Sequence, residues 1–237
     1  LNRKHARVLE LERMVFDRAN TRAVIVNSSM VRDEILARFP YPAEKIHLVP
    51  NGVRPFGELP PRAESQKTWN LAPNVFRPLF LGTGWERKGL SVALQAVEMM
   101  EDTELLVAGR GLADLYRSGK ARFLGPVSDL PALFASADVL VAPTWYDPFS
   151  NACLEALSAG LPVITTPANG FSEILEPGIH GDIVPTGDAL SLAEALEKWK
   201  KPGRIESARP LCRARAAEFS IERNARETLE ILKSAVR

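Results

Sequence analysis

The chain has 237 residues, 46% of them hydrophobic and 25% charged, with 30 Lys and Arg against 29 Asp and Glu and a net charge of +1. At ~150 residues per domain this is one to two domains with a sizeable core, which excludes a disulfide- or metal-stapled miniprotein. The balanced charge supplies no basic excess for nucleic acid. The two cysteines, Cys153 and Cys212, have neither metal-ligand nor redox spacing, which points to a reduced, cytoplasmic chain. No apolar run approaches the ~20 residues that cross a bilayer. The opening Leu1-Asn2-Arg3-Lys4-His5 starts a charged helix pattern rather than a signal peptide, and its initial Leu leads us to expect a fragment.

In chain order, short apolar runs alternate with helical periodicity. Strands are expected at 23–26, 46–49, 79–81, 104–108, 122–124, 138–142, 162–166 and 182–184. They are mostly apolar throughout, as strands covered on both faces of a parallel sheet are. Helices are expected at 30–38, 89–100, 127–136, 151–159 and 189–200, and an amphipathic helix at 219–232 opens on Ser220 as its cap. This alternation predicts an α/β, Rossmann-like, doubly wound parallel sheet. Ligands in such folds sit beyond the carboxyl ends of the strands, so the loops there carry the function. Residues 52–78 hold five prolines and two glycines without clear periodicity and read as a connector or surface loop. The first ~50 residues are too few to fold alone and read as the tail of a preceding domain.

The loop and helix from Ala142 to Ala159 are the most informative. Ser150 or Asn151 is a good N-cap, so the backbone N–H groups of Phe149, Ser150 and Asn151 are expected to face the loop as an anion site. Asp147 and Glu155, eight positions apart, are placed to flank one ligand, although acids near a helix start also simply complement its dipole. In Leu79-Phe-Leu-Gly-Thr-Gly-Trp-Glu-Arg-Lys-Gly89, Gly82 and Gly84 permit a sharp turn and close approach. Arg87 and Lys88 then put two cations at a helix start. That is unfavourable unless an anion binds, and a diphosphate is the anion they suit. Gly109–Gly111 reads as a plain turn. Asn169-Gly170 either brings backbone groups to a ligand or only turns the chain. Neither the dinucleotide fingerprint nor the P-loop is present, which disfavours an NAD-dependent dehydrogenase. His5, His47 and His180 are scattered, no D-x-D pair offers a metal clamp, and no Ser elbow appears.

At Asp147–Glu155 and Arg87-Lys88 the sequence resembles the family 4 retaining glycosyltransferases of GT-B fold. Val49-Pro-Asn-Gly-Val53, Phe123-Leu-Gly125, Ala135–Val139, Glu155–Val163 and Gly178–Val184 match in order, as does the closing Phe219-Ser-Ile-Glu-Arg223. The resemblance implies the C-terminal, donor-binding half of a GT-B fold. Residues 1–50 would be the remnant of the acceptor domain, 51–78 the connector, 79–218 the donor domain, and 219–237 a helix returning to the N-terminal side. It implies that Glu155 binds the ribose hydroxyls and that Phe149, Ser150 and Asn151 hold the β-phosphate and sugar by their backbone. Arg87 and Lys88 would neutralise the leaving diphosphate, and Gly125-Pro126-Val127 would edge the base. Asp147 stands where the family usually has Glu, one methylene longer, beside the sugar. Within the family, Thr83–Gly89 and Tyr146–Asn151 most resemble the lipopolysaccharide core α-glucosyltransferases. This implies UDP-glucose as donor, an inner-core saccharide as acceptor, no metal or other cofactor, and peripheral contact of the full-length protein with the inner face of the cytoplasmic membrane. A non-catalytic nucleotide-sugar binding module and a GT-B epimerase remain the alternatives.

Overall fold

The computed structural model describes residues 3–17, 19–116 and 118–236. Residues 1 and 2 of the charged opening segment, and 237 of the expected last helix, lie outside the described residues. Six strands form one parallel sheet: β3 (Pro78–Leu81), β4 (Leu105–Ala108), β5 (Ala121–Gly125), β6 (Val139–Ala142), β7 (Val163–Thr165) and β8 (Gly181–Ile183). Their order is β5-β4-β3-β6-β7-β8. This is the doubly wound order, reversing direction between β3 and β6. Every residue of β4 and β7 is buried, because helices cover both faces.

One face carries α4 (Leu90–Glu98) packed on α7 (Ala189–Lys200). The other carries a row in which α3 (Arg62–Thr68) meets α5 (Leu130–Ser136), α5 meets α6 (Asn151–Ala159), and α6 meets α8 (Arg204–Ala217). The core between them runs from Leu79 and Phe80 through Phe134, Leu157 and Ile164 to Trp199. At the amino end of the sheet Arg77 is fully buried. Its Nε meets Glu104 at 3.3 Å, and its backbone N–H donates to Asp138 Oδ2 at 2.7 Å.

A smaller unit precedes this sheet. It contains α1 (Arg3–Val15), β1 (Val24–Val26), α2 (Ser29–Arg38) and β2 (Ile46–Leu48), with β1 and β2 paired in parallel. Val26, Ile35, Tyr41 and Ile46 make its own small core. The last helix, α9 (Ile221–Val236), starts on a Ser220 Oγ that accepts the Arg223 N–H at 3.1 Å. It runs back to the smaller unit, where Arg22 donates to the Ala235 carbonyl at 3.0 Å and Asn224 to that of Pro50 at 2.7 Å.

Two readings need correction. Residues 52–78 are not only a surface loop. Prolines 60 and 61 lead into α3, and Val53, Leu71 and Phe76 are buried in the main core. The stretch is too short and too Pro-broken for periodicity to reveal its one helix. The helix α8 was also missed. Pro210 stands inside it, and its charged residues obscure a stripe of Ile205, Ala208, Cys212 and Ala216 packed against α6. Both cysteines are free and buried, and burial pushes their thiols up, Cys153 to about 11 and Cys212 to about 12. No helix among the described residues is long and apolar enough to cross a membrane.

Candidate functional site

The carboxyl ends of β3 and β6 face each other at the point where strand order reverses. The loop after β3, Gly82 to Gly89, is tightly wound. The Trp85 indole donates to the Gly82 carbonyl at 3.0 Å and rests against Tyr116 and Phe123. Gly89, at φ +78°, has no room for a side chain, because a Cβ would lie 2.0 Å from the Pro143 carbonyl oxygen. This contact and two hydrogen bonds onto the Arg87 carbonyl, from Trp145 N at 2.9 Å and Thr144 Oγ1 at 3.0 Å, stitch the loop to the one after β6.

The stitching brings the expected residues together. Asp147 Oδ2 lies 3.4 Å from Lys88 Nζ and 3.6 Å from Arg87 Nη1, and the Arg87 guanidinium also donates to the Tyr146 carbonyl. Two cations and one carboxylate therefore converge at the mouth of α6 with a surplus positive charge. Lys88 lies along Gly82, whose missing Cβ would sit 3.0 Å from Lys88 Cδ. Gly109 links this loop to β5, its N–H donating to the Gly125 carbonyl at 2.8 Å, while Gly82 N–H donates to the Ala108 carbonyl at 3.0 Å. Gly125 (φ +67°) and the half-buried Val127 thus stand at the β5 end of the same edge, and Gly84 (φ +70°) is open to solvent.

The anion site differs from expectation in one respect. Ser150 is the N-cap residue of α6, but its N–H is not free, because Asn169 Oδ1 accepts it at 3.2 Å. The Phe149 ring is buried against Phe171, so only its backbone faces the loop. Among the described residues, the Phe149, Asn151 and Ala152 amides have no acceptor, and these are the donors left for an anion. Asp147 does not complement the α6 dipole as an acid in a first turn does, since its partners are the two cations. Glu155, one turn inside α6, is half-buried, and burial raises its pKa against the opposing pull of Lys88.

Sequence reasoning left Asn169 undecided, and the structure shows it as the organiser of the turn after β7. It is fully buried. Its Oδ1 accepts the Ser150 and Phe171 N–H groups, and its Nδ2 donates to Thr165 Oγ1 at 2.9 Å. An Asn-Gly after a strand signals a turn, but nothing local says that its side chain will fasten a helix nineteen residues upstream. A cavity of about 1100 Å³ lies at the opposite, amino end of the sheet, lined in part by Arg62, Phe76, Asp138 and Arg209. Arg62 pairs there with Asp138 at 2.9 Å, and Arg62 and Arg209 both donate to the Ala137 carbonyl at the end of α5. Arg62 and Arg209 thus serve a helix C-terminus, remote from the crevice.

The family model "Glycosyl transferases group 1" matches residues 76–200, and "Glycosyltransferase Family 4" matches residues 1–55. Phosphatidyl-myo-inositol mannosyltransferase of Mycobacterium leprae is 40% identical over 132 residues, 50% of this chain and 35% of that protein. Lipopolysaccharide core biosynthesis glycosyltransferase LpsE of Rhizobium meliloti is 32% identical over 127 residues, 50% of this chain and 37% of its own. The chain thus spans little more than a third of these two curated relatives. Among solved structures, that of Anabaena HepE in complex with UDP and glucose superposes with a TM-score of 0.84 at 20% identity, over 99% of this chain and 68% of that one. The fold is therefore the GT-B type expected from the sequence.

Proposed function

This chain belongs to the group 1 glycosyl transferases, and from that premise we propose that its crevice binds a nucleoside diphosphate hexose for transfer of the hexose to a saccharide-bearing acceptor. The carrying observation is the convergence of Lys88 and Arg87 on Asp147 beside the open amides of α6. In glycosyl transfer the anomeric C–O bond breaks, and its electron pair leaves on the diphosphate. Fixed cations and helix N–H groups aimed at that oxygen lower the barrier without reorganisation. In this reading Lys88 and Arg87 receive the leaving charge, with no metal assigned to it. The Phe149 and Asn151 amides hold the β-phosphate, and Glu155 accepts from the ribose hydroxyls.

The order of loops along the sheet edge supports one direction for the ligand. With the base at Gly125, the last residue of β5, and Val127 just beyond it, and the diphosphate between β3 and β6, the hexose falls toward β7. There Asp147 and the Asn169–Gly170 turn meet, with Gly170 N–H donating to the Asp147 carbonyl at 2.9 Å. Asp147 orients the hexose, and no nucleophilic role is assigned to it. UDP-glucose and a lipopolysaccharide-core acceptor are the readings of the sequence, and LpsE supports that acceptor class. A mannose donor is the second reading, favoured by the 40% identical mannosyltransferase. The test is calorimetric titration with UDP, GDP, UDP-glucose and GDP-mannose, repeated with EDTA. Binding of one nucleotide and its sugar, unaffected by EDTA and lost in Glu155→Ala, is the expected result. Absence of binding to all four refutes the reading.

A further inference from the structure

The smaller N-terminal unit and the segment that follows it make three polar ties to the crevice. Glu173, in the turn after β7, accepts the Ser29 N–H on one carboxylate oxygen and the Met30 N–H on the other, both at 2.8 Å. These are the first two residues of α2, whose free amides carry the positive end of the helix dipole. A two-pronged carboxylate is the electrostatic match for that end. Tyr146 donates its hydroxyl to Glu34 of α2 at 2.8 Å, and Asn51 donates to the Asn151 side chain at 2.7 Å. Between these ties there is no slack. A Cβ on Gly170 would lie 2.4 Å from Ser28 Cβ and 2.1 Å from the Pro148 carbonyl oxygen.

The turn does not need Glu173 for its own fold, since Asn169 caps it. The Glu173 carboxylate is spent on α2. Of the groups assigned to the diphosphate and ribose, Arg87, Lys88 and Glu155 take their places from the β3 loop and the body of α6, and the Phe149 and Asn151 amides from the start of α6, which Asn169 reaches through Ser150 and Asn51 through the Asn151 side chain. The groups at the hexose end, Asp147 and Gly170, lie on the segments that α2 presses.

We propose that Glu173 is a positioning residue. By clamping the N-terminus of α2 it fixes the Asn169–Gly170 turn and Asp147, so that the grip on the hexose depends on Glu173 more than the grip on the diphosphate does, which Arg87 and Lys88 on the β3 loop share with an α6 start tied separately to Asn51. This rests on the donor reading above. The test compares the affinity of a free nucleotide with that of its sugar conjugate, UDP against UDP-glucose or GDP against GDP-mannose, in Glu173→Ala and Glu173→Gln. Glu173 is exposed, so Glu173→Ala is expected to weaken the conjugate by up to about fivefold, the size of one exposed charge at a helix end, and to weaken the free nucleotide by less. Glu173→Gln keeps one acceptor oxygen and falls between. Glu34→Ala, which loosens α2 from the outside, moves the same ratio in the same direction by less. Partial unfolding lowers the active fraction for both ligands alike and leaves the ratio of dissociation constants untouched. An unchanged ratio, or equal weakening of both ligands, overturns the clamp alone. Absence of nucleotide binding by the unsubstituted chain overturns the donor reading and the clamp with it.

Discussion

Lys88 and Arg87 are adjacent in sequence and share a carboxylate, yet their substitutions are expected to differ by an order of magnitude. The Lys88 side chain is 16% exposed and lies 3.4 Å from Asp147, whereas that of Arg87 is 49% exposed and lies 3.6 Å away. A hydrogen bond to a charged group in a shielded site contributes about 1.5–3 kcal/mol. A solvent-exposed ion pair contributes about 0.2–1 kcal/mol. At about 1.4 kcal/mol per factor of ten, Lys88→Ala should weaken nucleoside diphosphate binding about 10- to 150-fold, and Arg87→Ala at most about 5-fold. Calorimetric titration with UDP and GDP at low and high ionic strength separates the two, because salt screens the exposed partner and spares the shielded one. The Arg87→Ala deficit should shrink in salt while the Lys88→Ala deficit persists. An Arg87→Ala loss equal to or larger than that of Lys88→Ala would refute the argument that burial sets the rank.

Asp147→Asn removes the anion that competes with the diphosphate for the two cations. Nucleotide affinity should hold or rise while hexose transfer by the full-length enzyme falls, and weaker nucleotide binding in the titration contradicts this. The Glu155 carboxyl has its pKa raised by burial, so the folded state holds a proton that the unfolded state has released, and this contribution to stability is lost as pH rises through the range just above the ordinary Glu value. Glu155→Gln should therefore match the unsubstituted chain in acid and exceed it at neutral pH in thermal unfolding, with nucleotide binding impaired. Arg77→Ala removes the fully buried guanidinium that donates to Glu104 and to the Val75 and Ala72 carbonyls, while Asp138 keeps the residue-77 backbone N–H and Arg62, and Glu104 keeps Arg122; it should cost about 1–3 kcal/mol and lower the melting temperature by roughly 5 °C without selectively altering nucleotide affinity.

The strands were legible because each is a short apolar run bounded by turn residues, and covering on both faces leaves that pattern intact. Leu105–Ala108 and Val139–Ala142 differ from the expected limits by one residue. The helix Asn151–Ala159 falls where its cap and periodicity placed it. The helix Arg204–Ala217 was illegible because local rules penalise its internal Pro210, and packing against α6 overrides them. In the site, two cations at a helix start called for an anionic partner, and the one the structure shows is the Asp147 carboxylate. That Ser150 would give its N–H to Asn169 was hidden, because the bond joins loops from two different strands.

The sequence by itself determined the alternation of strand and helix, the glycine-edged loops at the strand ends, and the identity of the charged groups on them, all properties of neighbouring residues. Only the tertiary structure decided which loops meet. Reversal of strand order between β3 and β6 set Lys88 against Asp147 across fifty-nine positions of chain, and docking of α2 gave Glu173 its partners. Such pairings depend on where a sheet turns back and which helix end a distant carboxylate reaches. Those are matters of packing among distant segments, on which no stretch of neighbouring residues bears.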